Sequence, residues 1–83
     1  MPRTTHTPEY KVLRGLLREL RDRQGIMQSD LAERLEVPQS YVSKSENGER
    51  RLDVLEVRTW CIALGVPFVD FSKELNKRLS KMA

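Results

Sequence analysis

Polar side chains able to donate and accept hydrogen bonds recur at short intervals between residues 39 and 47 of this 83-residue chain. At about 100° per residue, they fall within about 140° of arc if the segment is helical. The arc contains two amides, two hydroxyls and one ammonium group, contributed by Gln39, Ser40, Ser43, Lys44 and Asn47. Such groups recognise a partner through hydrogen bonds. The pattern indicates a recognition surface or, in the simpler alternative, a polar face that is only solvated.

Residues suited to catalysis or metal binding are scarce. The one histidine, His6, lies in a polar segment beside Thr5 and Thr7, and the one cysteine, Cys61, lies far away in an apolar stretch. A single cysteine cannot form a disulfide within the chain, and one cysteine with one histidine cannot supply the four ligands of a structural zinc site. We therefore expect a protein that is not an enzyme and that needs neither a metal nor a cofactor.

Length and composition limit the chain to one small soluble domain. Hydrophobic residues make up 39% and charged residues 33%, and no run approaches the roughly 18 apolar residues of a membrane span. The N-terminal segment has no apolar run typical of a signal peptide, so we expect a cytoplasmic protein. A net charge of +3 and a pI of about 9.4 hint at a polyanionic partner.

Apolar residues recur at intervals of three and four, and no segment alternates with a period of two, which predicts an all-α fold. Thr7 followed by Pro8 opens the first helix, Gly25 ends it, and Asp53 with Glu56 is spaced as a capping box. Residues 1–7 are expected to form a flexible arm and residues 81–83 a frayed tail. The predicted helices are at about 8–24, 28–35, 39–47, 53–64 and 67–80, and they form one compact five-helix bundle.

The second and third predicted helices are joined by a turn of about three residues, which is too short for an antiparallel pair. They must cross steeply, as in a helix-turn-helix. With these residues the chain resembles the lambda-repressor-like, or Cro-like, XRE family of DNA-binding domains over about residues 11–76. The resemblance rests on LRELRDRQGIMQSDLAERLEVPQSYVSKSENGERRLDVLEV and on ALGV. It implies that the third helix reads double-stranded DNA.

The resemblance implies base-reading roles for Gln39, Ser40, Ser43 and Lys44 on the third helix. Gln39 could hydrogen bond to N6 and N7 of adenine and Lys44 to O6 and N7 of guanine, each good contact discriminating by about 1–3 kcal/mol. Gln28, which opens the second helix, matches a glutamine that grips a DNA phosphate in this family. Gln39 could also brace Gln28.

The resemblance also assigns roles to residues around the third helix. Arg21 and Glu46 match an ion pair that links the first helix to the end of the third. The other phosphate-binding candidates are Tyr41, Asn47, Arg50 and Arg51. Solvation is the alternative for the two arginines, and half-buried packing is the alternative for Tyr41. Arg14 and Arg18 rank lower, because their helix is expected to face partly away from the duplex.

Three positions depart from the family pattern. Met27 stands where a serine or threonine usually caps the second helix, and an uncapped start costs about 1 kcal/mol. Glu36 stands where a glycine usually adopts a left-handed backbone, at a cost of about 1–2 kcal/mol. Ser45 replaces a large apolar side chain, and we hypothesise that Trp60 fills the volume that the serine leaves.

One recognition helix reads too few base pairs to find a site in a genome, so a homodimer is expected. Two-fold dimers place their recognition helices about 34 Å apart on a near-palindromic operator. We expect the interface to use the fifth helix and part of the fourth, where Leu55 and Ile62 lie apart from the main apolar stripe. The edge of the fifth helix carries Phe68, Phe71, Leu75 and Leu79. Closure of the core within one subunit is the alternative role of this edge.

The resemblance implies a sequence-specific transcription regulator, and we expect a prokaryotic or phage repressor that occludes its operator in the nucleoid. An antitoxin with a toxin partner, or a restriction-modification controller, is the alternative within the same fold. A helical adaptor that binds protein or RNA is the alternative of another class. Segment 28–50 has three basic and five acidic residues, so the overall basic charge is not the argument for DNA binding.

Overall fold

The computed structural model describes residues 7–82, and this part of the chain folds into five α-helices with no strand. The predicted all-α, five-helix architecture is confirmed. Residues 1–6 of the predicted arm, including His6, and Ala83 of the predicted tail lie outside the described residues. None of the described helices has the length and apolar character needed to cross a membrane. The helices are α1 Pro8–Arg23, α2 Gln28–Leu35, α3 Gln39–Asn47, α4 Val54–Leu64 and α5 Phe68–Ser80.

Capping interactions fix the helix ends that the sequence signals indicated. Thr7 Oγ1 accepts a hydrogen bond from the backbone N–H of Tyr10 at 3.1 Å. Asp53 Oδ1 accepts from the Glu56 N–H at 2.8 Å, and Glu56 Oε1 accepts from the Asp53 N–H at 2.9 Å, which completes a capping box at α4. Relative to the predicted bounds, α1 ends one residue earlier, and α4 and α5 begin one residue later, because the capping residues are only half within a helix.

The turn between α2 and α3 contains the backbone geometry expected at Glu36. Its φ of 59° and ψ of 45° are left-handed, and its N–H donates to the Glu33 carbonyl at 3.1 Å. The next N–H, of Val37, donates to the Ala32 carbonyl at 3.0 Å. This turn joins α2 and α3 within three residues, at the cost of placing a side chain where glycine is favoured. At the other end of α2, Met27 provides no side-chain cap, but the Asp30 carboxylate accepts its N–H at 3.0 Å.

The helix-turn-helix packs on the rest of the bundle through both α1 and α4. α2 lies against α3 and α4, and α1 lies against α3, α4 and α5. Ser45 is fully buried on α3, and its hydroxyl donates to the Tyr41 carbonyl at 2.7 Å. The Trp60 ring is buried with its centroid 6.3 Å from that of Tyr41. The idea that Trp60 compensates for Ser45 stays a hypothesis. The buried apolar side chains that form the core include Leu16, Leu17, Leu31, Val42, Trp60, Cys61, Leu64 and Phe71.

α5 closes the core of the single subunit. Phe71 is 2% exposed and belongs to this core, so for this residue the expected place in a dimer interface is wrong and the alternative, closure of the core within one subunit, holds. Arg78 joins α5 to α1, with Nη2 donating to Glu19 Oε2 at 2.9 Å, while Nε donates to Glu74 Oε2 at 2.7 Å. The other residues of the predicted edge, Phe68, Leu75 and Leu79, are partly exposed.

Candidate nucleic-acid interface

The polar arc predicted on α3 lies on the outer surface of the helix. Gln39, Ser40, Lys44 and Asn47 are exposed and Ser43 is half-buried. Within the part of the chain that the structure describes, the side chains of this arc have no hydrogen-bond or ionic partner. The opposite side of α3 is buried through Val42, Ser45 and Glu46. The arc therefore presents unoccupied donors and acceptors on a helix that is fixed from behind.

The carboxyl end of α3 is fixed by α1. Arg14 Nη1 donates to the Glu46 carbonyl at 2.9 Å, where the last turn of α3 leaves carbonyls without helical partners. The arginine charge also complements the negative end of the helix dipole. Gly48 has a φ of 84°, and a Cβ there would lie 2.9 Å from Arg14 Nε. Arg14 is thus an anchor of the helix-turn-helix, and glycine at Gly48 adopts the positive φ and leaves room for the Arg14 side chain.

A buried network joins α1, α2 and α3. Arg21 Nε donates to Glu46 Oε2 at 2.6 Å and Arg21 Nη2 donates to Glu46 Oε1 at 2.9 Å, so the structure contains the ion pair that the resemblance implied. This hydrogen bonding raises the pKa of Arg21. Arg21 Nη1 donates to the Ile26 carbonyl at 2.7 Å. Gln28 Nε2 donates to Glu46 Oε1 at 2.9 Å, so one carboxylate also orients the amide at the start of α2.

Gln28 and Gln39 line one open groove of about 480 Å³, together with Ser29 and Arg18. The structure therefore brings together the two glutamines that the resemblance assigned to DNA contact. Arg18 was ranked low because α1 was expected to face partly away, yet its side chain borders this groove. It is 61% exposed and lies 3.7 Å from Asp22, one turn further along α1. Arg18 precedes Arg21 by one helical turn, and this spacing is the sequence signal that could have placed Arg18 on the same side of α1 as Arg21.

A second polar cluster joins the end of α3 to the start of α4, and we call it the Arg50 cluster. It consists of Tyr41, Arg50 and Glu56. The Arg50 guanidinium lies 4.4 Å from the centroid of the Tyr41 ring, and its Nη2 donates to Glu56 Oε2 at 2.8 Å. The Tyr41 hydroxyl donates to the same oxygen at 3.4 Å. Hydrogen bonding within the pair lowers the pKa of Glu56 and raises that of Arg50.

Arg51 lies apart from the Gln28 groove. Its guanidinium is 5.0 Å from the centroid of the Tyr10 ring, and the Tyr10 hydroxyl accepts the Leu52 N–H at 2.8 Å. Arg51 borders an apolar groove together with Leu13 and Phe68. Its expected role in phosphate binding remains a prediction.

No metal or nucleophile chemistry is evident among the described residues. They contain no group of three histidine, cysteine, aspartate or glutamate side chains placed to hold a metal ion. Burial raises the pKa of the Cys61 thiol to about 11, so the reactive thiolate is disfavoured at neutral pH.

Comparisons with known proteins agree with this geometry. A family model described as helix-turn-helix matches residues 17–71. An XRE-family like protein from Pseudomonas syringae pv. tomato str. DC3000 is 44% identical, with a TM-score of 0.82 over 90% of this chain and 92% of that one. This chain belongs to the XRE family of helix-turn-helix proteins. As a member of that family, it is a DNA-binding protein of the transcription-regulator type, a class that is typically not enzymatic.

The restriction-modification controller protein C.Esp1396I shares the fold at 24% identity, with a TM-score of 0.83 over 92% of this chain and 99% of the controller. A mutant of that controller gives a TM-score of 0.82 at 22% identity, over 93% of this chain and 98% of the mutant. Comparison with curated protein sequences finds no match. The two controller structures support the fold of the chain.

Proposed function

We propose that this XRE-family protein is a sequence-specific regulator that places α3 in the major groove of double-stranded DNA. The observation that carries the proposal is the polar arc of α3, whose side chains are unpartnered within the described chain while Arg14 and Glu46 hold the helix from behind. A major groove about 12 Å wide admits one α-helix. Because the backbone of α3 is already held in place, its donors and acceptors can distinguish base pairs without a further cost of ordering the helix.

In this proposal the arc supplies the base contacts and its surroundings supply the phosphate contacts. Gln39, Ser40, Ser43 and Lys44 read base edges. Gln28, Tyr41, Asn47, Arg50 and Arg51 hold the flanking phosphates, which position the helix without reading sequence. Arg18 joins this set because it borders the same groove as Gln28.

A homodimer formed through α5 and part of α4 is the proposed assembly. Four aliphatic side chains there, Val54, Leu55, Ile62 and Val69, are 60–71% exposed. An apolar groove of about 500 Å³ is lined in part by Val54 and Phe68. Exposed apolar surface of this kind is typical of an interface. Two copies would read a near-palindromic site, and the dimer would repress by occluding the operator in the cytoplasm.

A restriction-modification controller is a second candidate, because the fold likeness to C.Esp1396I spans 99% of that controller. It would use the same DNA interface and the same dimer, and it differs only in the genes controlled. An antitoxin role, with its toxin partner, has no comparable support.

Selection of bound duplexes from a random pool, with light scattering of the complex, tests the proposal. We expect enrichment of a near-palindrome with half-sites about 34 Å apart and two protein chains per duplex. Gln39→Ala should reduce preference at one or two base pairs by about 1–3 kcal/mol, whereas Arg50→Ala should weaken binding to all sequences evenly. Equal affinity for selected and random duplexes would refute sequence-specific recognition, and tighter binding to RNA would favour an adaptor.

A further inference from the structure

The Arg50 guanidinium, the one cation of the Arg50 cluster, already has hydrogen-bond partners within the protein. Glu56 Oε2 accepts from Arg50 Nη2 at 2.8 Å, and Arg50 Nη1 donates to the Arg51 carbonyl at 3.2 Å. The Tyr41 ring covers one face of the guanidinium. A positively charged side chain at a DNA interface is normally left available for phosphate, but this one is already paired.

Building on the DNA-binding function proposed above, we infer that Glu56 limits DNA affinity by competing with a backbone phosphate for the Arg50 guanidinium. Carboxylate and phosphate offer arginine the same kind of charge-assisted, bidentate oxygen contact, so the two anions are alternatives for the same donors. Every phosphate contact by Arg50 must therefore displace Glu56 or share the guanidinium with it.

The exposure of the pair allows this exchange. The Arg50 side chain is 40% exposed and the Glu56 side chain 29%, so both are within reach of a phosphate. The stacking on Tyr41 can persist after Glu56 is released, and it would hold the guanidinium near the surface of α3. The two oxygens of Glu56 also have separate partners, because Oε1 accepts the Asp53 N–H at 2.9 Å. Release of Arg50 leaves that cap in place.

The charges around Arg50 favour competition with a DNA phosphate rather than attraction of it. Between residues 49 and 56 there are three acidic side chains and two basic ones. A phosphate that approaches Arg50 therefore also approaches Glu49, Asp53 and Glu56. Removal of the carboxylate that touches Arg50 should have the largest effect of the three on DNA affinity.

Glu56→Gln separates this role from folding, because a glutamine oxygen can still accept the Asp53 N–H of the capping box. We expect Glu56→Gln to tighten binding to selected and random duplexes by a similar factor, about two- to fivefold, which is the range of an exposed ion pair. The dependence of affinity on salt should become steeper, since Arg50 then enters the complex as an unpaired cation. In the protein without DNA, hydrogen exchange of the Arg50 guanidinium, followed by NMR, should become faster.

Glu49→Gln is the matched control, since it removes the same charge from an exposed residue next to Arg50 whose side chain makes no hydrogen bond or ion pair with the described residues. It should tighten binding less than Glu56→Gln does. In an Arg50→Ala background the two glutamine variants should have equal effects. Weaker binding by Glu56→Gln, or an effect equal to that of Glu49→Gln with Arg50 intact, would overturn the inference. Absence of any DNA complex with the unmodified protein at low salt would instead overturn the proposed function, and the exchange measurement would still report on the Arg50 cluster.

Discussion

Replacement of Glu46 by glutamine tests whether the buried Arg21 cation is stabilised mainly by the Glu46 carboxylate. The Arg21 side chain is 8% exposed and the Glu46 side chain 1%. Arg21 Nε lies 2.6 Å from Glu46 Oε2. Glutamine keeps the size and one acceptor oxygen of the glutamate but removes its charge. Arginine cannot lose its proton in compensation. The variant therefore leaves a buried positive charge without its nearest counter-ion, while Asp22 stays 3.4 Å from Nη2.

The expected loss follows from the contacts that remain. Breaking a buried ion pair by removing one partner costs about 3–5 kcal/mol. We expect about 3 kcal/mol, at the lower end of that range, because Arg21 Nη1 still donates to the Ile26 carbonyl at 2.7 Å and Asp22 lies 3.4 Å from Nη2. A domain of this length has a free energy of unfolding of about 4–12 kcal/mol, so the variant loses a large part of it. At about 4–8 °C per kcal/mol, its Tm should fall by about 12–24 °C.

Urea and thermal unfolding followed by circular dichroism measure this loss. Glu33→Gln on the exposed side of α2 is the control and should change the free energy of unfolding by less than about 0.5 kcal/mol. The double variant Arg21→Met, Glu46→Leu contains no buried charge and should recover most of the stability. A loss below about 1 kcal/mol in Glu46→Gln, which is the value of an exposed pair, would refute the reasoning from desolvation.

Three further predictions concern the rest of the domain. Glu36→Gly should raise the free energy of unfolding by about 1 kcal/mol in urea, because glycine accepts the left-handed backbone, whereas Glu36→Ala should give no gain. Cys61 should react with a thiol reagent only after unfolding, since burial raises its pKa to about 11; equal reaction rates in the native and unfolded protein would contradict this. The hydrogen bonds from Arg78 lower the pKa of Glu19 and Glu74, so the stability they contribute is present above the ordinary carboxyl pKa and is lost as the pH falls through the lowered values. Arg78→Gln should therefore show a smaller loss of stability on acidification than the wild type in pH-dependent melts, and parallel pH profiles would speak against this pairing.

Helix positions could be predicted because their signals are local. The spacing of Asp53 and Glu56 marks a capping box, and the structure contains both of its hydrogen bonds. The left-handed turn at Glu36 was implied by the family resemblance, in which glycine usually holds this position, and its φ is 59°. Interactions between residues three or four positions apart can be predicted from the sequence, because particular residue types recur at that spacing.

Parts of the candidate site could not be predicted because their partners are distant in sequence. Arg14 contacts the Glu46 carbonyl across 32 positions, and Tyr41 reaches Glu56 across 15. The position of Arg18 beside Gln28 could not be predicted for the same reason, since the groove forms where side chains of α1, α2 and α3 meet. The periodicity of apolar residues along a helix does not specify which polar side chains come into contact when two helices pack together.

The sequence by itself determined the five helices, the short turn between α2 and α3, and the polar arc that includes Gln39 and Lys44, because these depend on residue spacing along one helix or one short turn. Tertiary structure alone decided that Phe71 belongs to the core of one subunit, and that Arg50 is paired with Glu56 rather than free. Both outcomes depend on how whole helices pack, and packing selects among surfaces that are equally apolar or equally charged in the sequence.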